Sequence, residues 1–456
     1  MSKVLLIYPY FKPKRDRSVF RFPPLGVSYL ASSLIQAGHD VQIIDGTFIS
    51  RSEALSQAMQ ASAEVVGIYC MVTMVEDCIW LARQLRQQTK LLIAGGPLPT
   101  CDPQKFVEDF DVVVRGEAEH TVVELLQAFL AGGDYTAIQG ITLRREGQET
   151  ISTPDRRFIK DLDRLPFPAR HLLPNHSYIQ FGRKKYGYAI TTVMSTRGCP
   201  YQCEFCSNVI FGGSYRERSA NNVVDEIEEA LASGYDRISF ADDVFTLNQK
   251  RVLEICAEIK RRNLQFFWEC LARVDSIDEA TYTVMYQAGC RRVYFGIESG
   301  DDNILKLMNK KITAEQARRA VLAAHQAGVK VGAFFILFYP GDTDQTVLNT
   351  LRFATSLPLD YLGLTMPYPL PGTALFERIS GQIRREWHPG ESVFGSHVLI
   401  YKGEFSETKM WFGIIKGKAQ FAINRRLQRS PQLEQLTPWI QTLFERPTDW
   451  LLCHLH

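Results

Sequence analysis

At 456 residues the chain is too long for one ordinary domain, and its length points to two or three units. Hydrophobic residues make up 45% and charged residues 22%, the balance of a globular protein with ample core and no run near the ~18 to 20 apolar residues of a membrane span. With 52 Lys and Arg against 50 Asp and Glu, the net charge of +2 gives no reason to expect nucleic acid as a partner.

The opening Met1-Ser-Lys-Val-Leu-Leu-Ile-Tyr8 enters a strand-like stretch without signal-peptide architecture, so a cytoplasmic location is expected. Apolar runs at 4–8, 41–44, 65–70, 91–94 and 112–114 read as strands. Helical spacing falls between them at 24–36 (ended by Gly38), 52–61, 75–88, 103–109 and 119–131. Short strands alternating with helices predict an α/β unit over residues 1–135. Its parallel sheet is covered on both faces in a flavodoxin-like, doubly wound order, with ligands at the carboxyl ends of the strands.

Residues 136–185 read as a small hairpin around Glu146-Gly147, then a linker. In that linker Asp161-Leu-Asp-Arg-Leu-Pro-Phe-Pro-Ala-Arg170 is too Pro-punctuated to be helical. Alternation restarts over 186–375, with strands predicted at 189–194, 237–241, 265–270, 292–297, 330–337 and 361–365. Val223, Ile227 and Leu231 share one helical face that Gly234 ends, and Thr313-Ala-Glu-Gln316 is a capping box for a helix running to Gly328. Six βα units in series predict a partial (β/α)6 barrel whose working face is the strand carboxyl ends. Residues 376–456 read as a helical region packed on the barrel. It carries Trp387, Trp411, Trp439 and Trp450, with basic residues interleaved over 416–429. Contact with a membrane surface or a lipophilic substrate is the alternative reading of this aromatic, basic tail.

Seven of the ten cysteines are scattered through apolar segments and read as small hydrophobes. The other three lie within Thr196-Arg-Gly-Cys199-Pro-Tyr-Gln-Cys203-Glu-Phe-Cys206, directly after the first barrel strand. Structural zinc takes four closed ligands, usually in two separated pairs, and no histidine lies between 177 and 324 to complete such a set. Iron–sulfur clusters generally take four cysteines, so three with no fourth nearby would leave one iron open to a small chelating molecule.

The Cys-x3-Cys-x2-Cys spacing followed by a barrel resembles the signature of radical S-adenosylmethionine (SAM) enzymes. The resemblance implies a [4Fe–4S] cluster on Cys199, Cys203 and Cys206, and SAM beside it. It places Phe205 near the adenine, Asp242 and Asp243 near the amino group, Arg273 facing the carboxylate, and Glu298 and Ser299 near the ribose. In that family the fifth strand usually ends Gly-Leu-Pro-Gly-Glu-Thr; here Phe338-Tyr-Pro-Gly-Asp-Thr343 puts an aromatic residue where a glycine permits close backbone approach.

Residues 1–375 together are similar to the cobalamin-binding branch of that family, which contains the anaerobic magnesium-protoporphyrin monomethyl ester cyclase and many C-methyltransferases. Pro23-Pro24-Leu-Gly26, Gly95-Gly96-Pro97-Leu-Pro-Thr100 and Arg115-Gly116-Glu117-Ala-Glu119 carry this likeness. It implies cobalamin contacts at Pro24, Gly26, Gly95, Gly96, Pro97, Thr100, Gly116 and Glu117, with Cys70 and Val72 beneath the cobalt. The chain has no Asp-x-His-x-x-Gly, so no histidine is expected on the lower face. The activity this likeness implies is reductive SAM cleavage with cobalamin-dependent methyl transfer to an unactivated carbon of a small molecule. Radical oxidation, cyclisation or rearrangement is the alternative within enzymes, and a non-catalytic cobalamin or redox sensor the alternative outside them. A hydrophobic, tetrapyrrole-like or lipid-like substrate and an external one-electron donor, a flavodoxin or ferredoxin, are the implied partners.

Overall fold

The computed structural model describes residues 2–11, 21–144, 149–383, 403–428, 439 and 441–455. The Glu146-Gly147 turn, Trp387 and Arg429 lie outside the described residues.

The first unit is built on β1 (Lys3–Tyr8), β2 (Asp40–Asp45), β3 (Val65–Tyr69), β4 (Leu91–Gly95) and β5 (Val112–Val114). They pair in parallel in the order β2-β1-β3-β4-β5. Strand period 2 sends Leu5 and Ile7 into one core and Val4 and Leu6 into another. The first core is closed by α2 (Arg51–Ala61) and α3 (Val75–Leu85), the second by α1 (Leu25–Gln36) and α5 (Ala118–Leu130). Ser50 caps α2 by accepting the Glu53 amide at 3.1 Å.

One local expectation fails, and one element was not foreseen. Residues 103–109 form only a 3₁₀ turn at Pro103–Lys105, because the chain must reach β5 within a few residues and Asp111 accepts the Leu92 amide at 2.7 Å. The short helix α4 (Pro97–Cys101), unread in the sequence, starts from Gly96 at φ 115 and Pro97 at its first position.

The hairpin, β6 (Ile141–Leu143) and β7 (Ile151–Ser152), joins the edge of the first sheet. β6 pairs antiparallel with β5 and makes the sheet seven-stranded. Residues 161–170 contain no α-helix, but α6 (Asn175–Tyr186) follows, its sequence lacking a clear apolar stripe.

The second sheet takes the order β15-β14-β13-β12-β11-β8, wholly parallel. Its strands are β8 (Ile190–Val193), β11 (Arg237–Phe240), β12 (Phe267–Ala272), β13 (Cys290–Glu298), β14 (Lys330–Ile336) and β15 (Tyr361–Thr365). A two-residue ribbon, β9 (Thr196–Arg197) against β10 (Arg216–Glu217), interrupts the series after β8. The helices α7 (Ala220–Ala232), α8 (Gln249–Arg261), α9 (Glu279–Gln287), α10 (Asp302–Leu307), α11 (Ala314–Gln326) and α12 (Asp344–Ser356) cover one face with a single apolar core. The capping box of Thr313 and Gln316 opens α11. Beyond the sheet come α13 (Ala374–Ile379), α14 (Glu407–Gln428) and α15 (Arg446–His454). Met410 and Ile414 of α14 and Leu452 of α15 enter the barrel core, while Trp411, Trp439 and Trp450 stay exposed. No helix of the described residues is long and apolar enough to cross a membrane.

Candidate functional site

The cysteine loop leaves the carboxyl end of β8 and returns through β10. Its backbone is held at many points. The Cys199 amide donates to Gly212 at 3.3 Å, and Asn208 Nδ2 donates to the Cys199 carbonyl at 3.2 Å. The Glu204 amide donates to Met308 and the Leu375 amide to the Glu204 carbonyl, at 3.0 and 2.9 Å. Gly198 takes φ 84, and a Cβ there would collide with the Ser214 carbonyl, so only glycine fits. All three thiols are free; Cys199 and Cys203 are half-buried and Cys206 opens outward. Burial raises the Cys199 thiol. Among the described residues no three His, Cys, Asp or Glu side chains close on a single ion. The soft donors suit a larger, cationic, iron-containing body.

Around this loop the strand ends place the other predicted residues. Asp242 is fully committed: its carboxylate accepts the Ser195 and Thr196 amides at 2.6 and 3.0 Å and the Ser195 hydroxyl. It fixes the entrance to the cysteine loop. Asp243 is exposed and follows Asp242 just past the carboxyl end of β11. Arg273 grips Asp275 with two nitrogens at 2.9 and 3.0 Å, donates to the Lys310 carbonyl at 3.0 Å and stacks 3.5 Å from the Tyr201 ring centre. A bulge between Gly296 and Glu298 turns Glu298 (φ 75) toward Lys310, 3.2 Å away. Ser299 Oγ shares a hydrogen with Thr350 at 2.9 Å and accepts the Asp301 amide at 3.1 Å. Phe205 meets Tyr339 edge-on at 6.4 Å. Phe338 takes a left-handed backbone, φ 63, the region that glycine adopts freely, and its ring packs on Phe405 at 5.0 Å.

The first sheet's carboxyl ends gather the remaining residues. Gly96 must be glycine, since a Cβ would come 2.7 Å from the Cys70 carbonyl; Cβ atoms at Gly95 and Gly116 would meet nothing within 4 Å among the described residues. The result is a side-chain-free cradle. Thr100 Oγ1 donates to Gly96 at 2.8 Å and accepts the Gly116 amide at 3.0 Å, tying the two loops together. Pro97 opens α4, Pro24 caps α1, Gly26 lies open in its first turn, Cys70 is fully buried and Val72 is half-buried in a 3₁₀ turn. A corrin's nucleotide tail fits such an open, backbone-lined slot. Glu117 faces elsewhere: its carboxylate pairs with Arg216 at 2.8 Å and Arg197 at 3.0 Å and accepts the Ile159 amide at 2.7 Å.

Sequence reasoning missed several partners. Tyr201 under Arg273, Lys310 against Glu298, and Arg378 on Glu204 at 2.5 Å all brace the cysteine loop. Tyr201 and Glu204 lie inside the motif itself, but spacing alone does not show what an intervening residue touches.

Residues 193–354 match the radical SAM superfamily, and residues 15–126 match the B12 binding domain. An uncharacterised methyltransferase of Pyrococcus horikoshii is 34% identical over 387 residues, 83% of each chain. The anaerobic magnesium-protoporphyrin IX monomethyl ester cyclase of Rubrivivax gelatinosus is 28% identical over 396 residues, 84% of this chain and 70% of its own. Among solved structures, the radical SAM methyltransferase TsrM of Kitasatospora setae, bound to cobalamin and a [4Fe–4S] cluster, superposes with a TM-score of 0.70. It does so at 20% identity, over 84% of this chain and 75% of its own. The chain belongs to the radical SAM superfamily, in the branch that joins the SAM-cleaving barrel to a B12-binding domain, and is an enzyme of [4Fe–4S] cluster, SAM and cobalamin.

Proposed function

We propose that the chain transfers a methyl group to a carbon of a small molecule, with the substrate held between the two cofactor-bearing units. When bound, the cofactors supply the electron, the carbon-centred oxidant and the transferable methyl. The protein's part is to hold, orient and exclude water. Cys199, Cys203 and Cys206 would ligate the cluster. Phe205, Asp243, Arg273 and Glu298 would hold SAM beside it, with Asp242 and Ser299 fixing the backbone that carries them. Gly95, Gly96, Thr100 and Gly116 would receive the cobalamin tail.

The observation that carries this reading is the meeting of the two working faces. A Cβ on Gly372, past the last barrel strand, would stand 3.1 Å from Val209 of the cysteine loop and 3.3 Å from Cys101 Sγ at the end of α4. The loops that leave the two sets of strand ends therefore meet, and the methyltransferase relatives supply the reaction type. A flavodoxin- or ferredoxin-type donor would deliver the electron. The exposed Trp411 and Trp450 are compatible with a membrane surface nearby.

The test is anaerobic reconstitution with iron, sulfide and hydroxocobalamin, followed by gel filtration and incubation with methyl-labelled SAM and candidate substrates. Near-stoichiometric cobalamin and label in a product are expected, and Cys199→Ala should abolish 5′-deoxyadenosine formation. Product formed without label would favour the oxidative or cyclising reaction of the cyclase relatives.

A further inference from the structure

Residues that alternate away from the helices line the hollow side of the second sheet. Val293, Phe295, Val331 and Phe335 point into the helix-covered core, so Tyr294 and Phe334 point the other way. Together with Tyr361 they form a continuous aromatic shelf across β13, β14 and β15. Tyr294 and Phe334 stack at 5.7 Å and 23°, and Tyr361 meets each edge-on at 6.0 Å.

Two glycines make the shelf flat. Tyr294 is registered opposite Gly332, and Phe334 opposite Gly363. A Cβ at Gly332 would collide with the Tyr294 ring, and one at Gly363 would come 2.6 Å from Phe334 Cδ1. Each ring therefore lies down across the bare backbone of the next strand. Rings over glycines also stabilise sheets, but that role asks for burial. Here Tyr294 is buried, but Phe334 is only half-buried, and the surface is open at Tyr361, 40% exposed, and at Leu271, registered opposite Tyr294 and 38% exposed.

Toward the amino ends of the strands the same face becomes charged. Glu269 is registered opposite Arg292, which lies 3.5 Å from it and donates to the Tyr294 hydroxyl at 3.1 Å. Arg237 of β11 falls on this face by alternation, so two guanidiniums act on the one carboxylate, and Lys330 of β14 lies on the same face beyond Arg292. Nε of both Arg237 and Arg292 is buried without a hydrogen-bond partner among the described residues. Toward the carboxyl ends come Glu298 and the cysteine loop. At ~3.3 Å per residue, the six steps from Arg292 to Glu298 span about 20 Å.

We infer that this face binds the substrate, and that the substrate is a flat, largely apolar molecule carrying an acidic group. Its body lies on Tyr294, Phe334 and Tyr361. Its acid meets Arg292 and Arg237, where the surplus positive charge and the unpartnered donors are. Its far edge reaches the cofactor rim. The inference rests on the proposed reading of the chain as a methyltransferase whose cofactors sit at the strand carboxyl ends.

The probe is 1-pyrenebutyrate, compared with uncharged 1-pyrenebutanol, titrated by fluorescence onto anaerobic reconstituted enzyme. Both should bind, the acid more tightly. Tyr361→Ala should weaken both by about tenfold. Arg292→Gln should weaken the acid by about tenfold and leave the alcohol unchanged. Lys330→Gln, at an exposed position, repeats the charge test without touching Glu269. No binding of either probe, or equal affinity across wild type and variants, overturns the inference. Substrate-free SAM cleavage by the wild type is measured in parallel. Cleavage without probe binding rejects the substrate class alone, whereas absent cleavage rejects the functional reading beneath it.

Discussion

Glu117 shows how a residue inside a recognisable motif can serve the architecture. Its buried carboxylate faces Arg216 and Arg197, and Arg197 donates a second nitrogen to Glu119 at 2.6 Å. Arg197 directly precedes Gly198 and Cys199, so the lattice registers the cysteine loop against the first unit. Losing one partner of a buried ion pair costs about 3–5 kcal/mol, because the remaining charge stays desolvated. Glu117→Gln should therefore lower thermal stability by about 3 kcal/mol while cobalamin retained per folded chain stays unchanged. Gly95→Val should do the reverse: nothing among the described residues stands within 4 Å of a Cβ there, so stability holds while the new side chain fills the cradle and cobalamin is lost. Melting curves and gel filtration with hydroxocobalamin read both quantities. Cobalamin loss in Glu117→Gln at unchanged stability would return Glu117 to the ligand set.

At the scale of elements, the strands were legible because period and apolar content coincide. The run at 361–365 is β15 as predicted, and Thr313 and Gln316 announce α11. What stayed hidden depends on contacts distant in sequence: α6 without an apolar stripe, the hairpin's place on the first sheet, and the commitment of Asp242 to backbone amides. The turn after β14 combines both kinds of information. Phe338 was visible as a departure, but only the fold reveals that its ring lies over Gly413 of α14, where a Cβ would come 2.6 Å from it. Phe338→Gly relieves left-handed strain of ~1 kcal/mol and forfeits ~3–5 kcal/mol of packing. A net loss of about 2–4 kcal/mol should appear as faster proteolysis at α14, with SAM affinity unchanged because glycine keeps φ near 63. In the same turn, burial raises the Asp342 carboxyl from 3.8 to about 6, despite hydrogen bonds from Thr346 Oγ1 and the Tyr339 amide. A carboxyl raised on folding binds more protons when native. Stability should fall as pH rises from about 4 to about 6 and flatten above, by at most about 2–3 kcal/mol. Urea midpoints across that window should show the slope in wild type and lose it in Asp342→Asn.

Across the whole molecule, the two units are joined by buried polar hubs. Glu226 of α7 is fully buried, paired with Arg170 at 2.5 Å and with Arg218, and accepts the Tyr29 hydroxyl of α1 at 3.3 Å. Tyr178 of α6 adds a second junction, donating to Asp45 at the end of β2 at 2.6 Å. Interfaces between units of one chain are usually more mobile than this, held by exposed polar contacts. A chamber that must keep water from a carbon radical needs the opposite, and charges fixed by several partners hold register better than an apolar seam that can slide. The arrangement carries a cost: the Nε and one terminal nitrogen of Arg170 are buried without partners among the described residues, so the hub has little redundancy. Glu226→Gln leaves two guanidiniums facing a neutral amide and should destabilise the junction by about 3 kcal/mol. Calorimetry should then resolve two transitions where the wild type shows one, and the linker at 161–170 should become the first site of limited proteolysis. A single transition in the variant would mean that the ionic hub is dispensable and that apolar contacts between the units suffice to couple them.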